Sequence, residues 1–142
     1  MKRFEFPLQR VLDWRRIQSR IEESKLELLR AELRALESRS AEINEELAQA
    51  ASTVSHASAV SGADLAALDA YRHAVLNERA RLNQMARGCQ DRIARQSEVV
   101  TQKSRDVKLL ERLYERRFQT WKDETARALD QEAEELHLAR FR

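Results

Sequence analysis

Counting from Leu65 in alternate steps of three and four residues reaches Leu68, Arg72, Val75, Arg79, Leu82, Ala86, Cys89, Ile93, Gln96, Val100, Lys103, Val107, Leu110, Tyr114, Arg117 and Trp121. Most of these positions are apolar, and the count runs without a skip for roughly eight heptads. A 3.5-residue repeat of this length keeps one narrow stripe turned towards a partner helix, as in a coiled coil.

The first third of the chain carries a similar pattern in two phases. Leu8, Val11, Leu12, Trp14, Ile17 and Ile21 read as one helical face. Leu26, Leu29, Leu33, Leu36, Ser40, Ile43, Leu47, Ala50 and Val54 then alternate by three and four. The phases differ by one residue between Ile21 and Leu29, and a four-residue insertion in the heptad pattern, a stutter with local unwinding, accounts for the shift. Pro7 fits the first turn, where its missing N–H costs nothing.

One break is visible, at 52–63, where small residues, Ser, Thr and Gly62 gather without a charge. Ser61-Gly62-Ala63-Asp64 has the form of a capping box, which starts a second helix. The pattern therefore predicts helix one at about 7–54, a link at about 55–61 and helix two at about 62–138, within a single coiled-coil domain. Gly88, inside helix two, costs roughly 1 kcal/mol relative to Ala and is a candidate bend.

Two long helices joined by a short link pack antiparallel. The expected fold is all-α, a long antiparallel two-helix coiled-coil hairpin. A turn centred near Ala59 sets residue i against roughly residue 119 − i at equal helical rise. Phe4 and Phe6 then meet Leu113 and Tyr114, and everything past Phe118 overhangs without a partner.

Composition agrees with long helices. Charged residues make up 35% of the 142, aromatics 6%, with two Gly and one Pro, which supplies a seam but no thick core. A net charge of +2 argues against nucleic acid, which draws a dense basic face. One cysteine excludes an internal disulfide. No apolar run approaches the ~20 residues of a transmembrane helix. The first ten residues lack the apolar core of a signal peptide, so the chain is expected in the cytoplasm.

Catalytic chemistry finds no foothold. His56, His73 and His137 are scattered, Cys89 lies on the seam, and no phosphate loop or nucleophile motif occurs. No catalytic, metal or cofactor residue is expected, and the chain reads as a non-enzyme.

Three features suggest binding instead. Phe4, Phe6, Trp14, Tyr114, Phe118, Trp121 and Phe141 all fall at the open end of the hairpin, either closing a fraying seam or forming a docking tip. Residues 1–20 hold six Lys/Arg and two acids, and 21–50 hold four and eight. Arg10, Arg15, Arg16, Arg20, Arg112, Arg116 and Arg117 could thus form a basic collar for acidic protein or an anionic surface. Arg72, Arg79, Gln96, Lys103 and Arg117 sit on the seam, where polar residues weaken a coil and fix its register.

The opening Phe4-Glu5-Phe6-Pro7-Leu8-Gln9-Arg10-Val11-Leu12-Asp13-Trp14-Arg15 resembles the F-x-F-x-L-x-x-V-L-x-x-R start of the FliJ family, small coiled-coil proteins of the flagellar type III export apparatus. Leu110-Glu111-Arg112-Leu113-Tyr114-Glu115-Arg116-Arg117 is similar to that family's L-E-x-L-x-E-R-R segment. Asp130-Gln131-Glu132-Ala133-Glu134-Glu135 loosely resembles its D-Q-K-x-x-D-E ending, with Glu132 in place of Lys.

The resemblance implies a stalk-like antiparallel coil whose open end enters the hexameric export ATPase ring and promotes its assembly. It also implies contacts with the export-gate membrane protein and with export chaperones, on the cytoplasmic face of the inner membrane, in flagellum assembly and motility. The partner-binding residues expected are Phe4, Phe6, Leu8, Val11, Leu12, Trp14, Arg15 and Arg16 from one side, and Tyr114, Arg116, Arg117, Phe118 and Trp121 from the other. The alternatives are a hairpin that binds nucleic acid or a polymerase channel through its basic stretch 79–117, and a dimerising scaffold formed if the overhang self-associates.

Overall fold

The computed structural model describes residues 2–142 and contains two helices, α1 at Gln9–Ser55 and α2 at Gly62–Arg140, joined by a short link. No strand occurs among the described residues. The helices pack against each other as an antiparallel hairpin, the predicted fold. The chain divides into two compact units, Met1–Glu22 with Val100–Arg142, and Glu23–Val99.

The unit Glu23–Val99 contains the link. Ile43, Val75 and Leu82 form its buried cluster, with Leu36 and Leu47 against them. Leu26 is buried too, and Cys89 is fully buried, its thiol donating to the Leu29 carbonyl at 3.3 Å. Arg92 reaches across to Glu32 at 3.1 Å. These pairs follow the expected antiparallel count. Packing on α2 starts at Leu68 and Val75, whereas Leu65 and Arg72 are exposed.

The link ends in the expected capping box. The Ser61 hydroxyl accepts from the Asp64 N–H at 3.1 Å, and the Asp64 carboxylate accepts from the Ser61 N–H at 3.1 Å. Both are donors that a helix start would leave unsatisfied. Hydrogen bonding to the Asp64 carboxyl from the Ser61 N–H first, and from the Ser61 side chain second, holds it below its ordinary value. A Cβ on Gly88 would meet nothing within 4 Å, so no close approach explains that glycine.

In the other unit, α1 begins two residues later than expected. Pro7 lies in a turn closed by the Gln9 N–H on the Phe6 carbonyl at 3.0 Å, a position that suits its fixed φ. Leu12 is 2% exposed and Ser19 7%, while Trp14 and Ile17 are each 53% exposed and Ile21 50%. The positions that turn inward are Leu8, just before α1, and then Leu12, Arg15, Ser19, Glu22 and Leu26. They join the later series in unbroken steps of three and four, so α1 has one heptad phase and no stutter. The apparent shift arose because polar Arg15, Ser19 and Glu22 occupy inward positions while Trp14, Ile17 and Ile21, roughly half a helical turn away at 3.6 residues per turn, are apolar and point out.

The overhang also begins later than expected. Residues 2–6 are non-helical, and the indole N–H of Trp121 donates to the Lys2 carbonyl at 3.1 Å. Extended chain advances ~3.3 Å per residue against 1.5 Å in a helix, so this short lead covers about twice its own number of α2 residues. Cover on α2 therefore lasts to Thr125, and 126–142 is exposed throughout.

Candidate interaction surface at the open end

The lead and the stretch of α2 it lies along build an aromatic cluster. Phe6 is anchored by its burial and meets the Tyr114 ring edge-on at 5.2 Å. Phe4 touches three rings: Tyr114 at 5.4 Å, Phe118 at 5.2 Å and Trp121 at 5.8 Å. Tyr114, Phe118 and Trp121 stack in turn along α2, at 6.2 and 5.8 Å. Each such pair contributes ~0.5–1.5 kcal/mol beyond its buried area. Phe118, four residues after Tyr114, takes the inward place that the heptad count gave to Arg117. Arg117 lies outside, its guanidinium 5.9 Å from the Phe6 ring centre, and the Lys122 ammonium stands 5.7 Å from that of Phe118.

Of the expected binding residues, Phe4, Phe6, Leu8, Leu12, Tyr114, Phe118 and Trp121 are thus buried or half-buried within the hairpin end. They give it a fixed shape. Arg15 pairs with Asp106 at 3.4 Å, and Arg16 with Glu111 at 3.2 Å, which ties part of the arginine collar to α2. Beside them the Gln18 side-chain carbonyl is buried without a donor among the described residues. Arg112 and Arg116 are exposed and make no ion pair among the described residues. Val11 and Trp14 are exposed on α1, Trp14 with the Arg15 guanidinium 5.3 Å from its ring.

The expected site included Trp14, and the basic collar Arg10, but not Ile17 and Ile21, which complete an outward stripe with them. Arg10, Trp14, Ile17 and Ile21 follow one another by four, three and four, and none contributes to the core. That spacing is itself a heptad signal, masked because it was read as part of the inward face. Lys2 was also missed, since its role is carried by a main-chain carbonyl.

Among the described residues there is no group of three or more His, Cys, Asp or Glu placed to hold a metal. No helix is long and apolar enough to cross a membrane. No family model matches the chain, and neither a curated protein nor a solved structure does.

Proposed function

We propose that the chain is a non-enzymatic coupling protein of the flagellar type III export apparatus, as its resemblance to the FliJ family implies. Its open end engages the hexameric export ATPase on the cytoplasmic face of the inner membrane, and the export-gate membrane protein and export chaperones are its further partners. The observation that carries this reading is the aromatic cluster of Phe4, Phe6, Tyr114, Phe118 and Trp121. It fixes the place where the paired helices give way to the single-helix overhang, and Arg112, Arg116 and Arg117 are exposed on the adjoining stretch of α2. A preformed aromatic end beside exposed arginines suits a partner with an acidic surface, because little ordering entropy is lost on docking.

The test is purification of the chain with the export ATPase encoded in the same genome. Co-elution and faster ATP hydrolysis support the reading; two separate peaks and an unchanged rate refute it.

A further inference from the structure

We propose that a second copy of this chain occupies the outward stripe of α1, and that the segment it inserts there is its own overhanging end of α2. The stripe of Arg10, Trp14, Ile17 and Ile21 is a second heptad face on a helix whose first face is already used. A helix with two such faces is built to have a neighbour on each side.

The overhang offers the matching element. Ala126, Leu129, Ala133 and Leu136 recur by three, four and three, and all are exposed, Leu136 at 71%. The stripe from Arg10 to Ile21 is ~16 Å long and the overhang from 126 to 140 ~21 Å, so the two match in length. They match in charge as well. Residues 123–135 hold six Asp/Glu and one Arg, whereas 10–21 hold four Arg and one Asp. Arg10 in the stripe and Arg20 beside it make no ion pair among the described residues, and neither do the acids of 124–135.

The overhang cannot reach its own stripe. α2 is helical to Arg140, and no Gly or Pro lies in 122–140 to let it fold back. Two chains meeting at their open ends remove that obstacle. Each overhang then runs alongside the partner's α1 in the same direction, because both helices lead away from the shared end. The contact is made twice about a two-fold axis, and each interface is apolar at its centre with opposite charges at its edges. This pairing does not depend on the ATPase reading and, because it occupies the same open end, excludes ATPase docking while the dimer holds.

Sedimentation velocity of the full chain tests it. The expected result is a dimer that weakens as salt rises, because its rim is ionic. Ile17→Glu and Leu136→Glu change exposed residues, so each variant keeps its helicity, and each is expected to weaken the dimer at least tenfold. Mixed together, the two variants recover dimers. One contact in the mixed pair is then wild type on both sides, whereas either variant alone spoils both contacts. A wild-type chain that stays monomeric up to roughly 100 μM overturns the proposal. So does a dimer indifferent to both substitutions, or a mixture that fails to recover. A monomeric chain whose Ile17→Glu variant loses ATPase binding assigns the stripe to the ATPase instead.

Discussion

The Trp121 indole N–H donates to the Lys2 main-chain carbonyl at 3.1 Å, and this bond fastens a non-helical lead to α2 just before its overhang. Trp121→Phe removes the donor and keeps most of the ring packing, and is expected to cost about 1 kcal/mol. Trp121→Ala also removes the contacts with Phe4 and Phe118 and is expected to cost about 2–3 kcal/mol. Far-UV circular dichroism should change little in either variant. Hydrogen exchange at residues 2–6 should quicken in both, and more in the second.

The inward and outward faces of α1 make opposite predictions. Leu12→Ala opens a cavity at a 2% exposed position and should cost roughly 2–5 kcal/mol in urea unfolding. Ile17→Ser, at 53% exposed, should change stability by no more than about 0.5 kcal/mol. Equal losses at both positions would restore the shifted register that the apolar pattern alone suggests.

The reason for that misreading is physical. A hydrophobic count weighs apolarity, and α1 has apolar residues on two faces while Arg15, Ser19 and Glu22 occupy its inner one. On α2 the count succeeded from Val75 to Tyr114 because no second apolar stripe runs along its outer face, and the capping box was legible because its chemistry is local. The aromatic cluster was legible in composition but not in arrangement. The non-helical lead spans more of α2 than a helix would, and this draws Phe118 and Trp121 into the cluster.

The start of α2 should respond to acid. Asp64 has a folded pKa below its ordinary value of 3.8, so its ionised form is the one the fold favours. Its contribution is complete above 3.8, and is lost as pH falls from there through the lower folded value. Asp64→Asn should remove that part of the pH dependence. Ser61→Ala should cost about 1 kcal/mol near neutral pH, read from urea midpoints.

Gly88→Ala should stabilise the chain by about 1 kcal/mol, since the added Cβ meets nothing within 4 Å and α2 continues through that position. A rise in urea midpoint at unchanged slope is the expected result.

The proposed docking through the aromatic, arginine-bearing open end is tested most directly by the export ATPase's own assembly, followed by sedimentation velocity with and without the chain. The wild-type chain should raise the hexameric fraction and travel with it. Arg112→Glu with Arg116→Glu, both at exposed positions, should abolish both effects at unchanged helicity. An ATPase that sediments identically with the wild-type chain, or a double variant as effective as the wild type, would contradict the account.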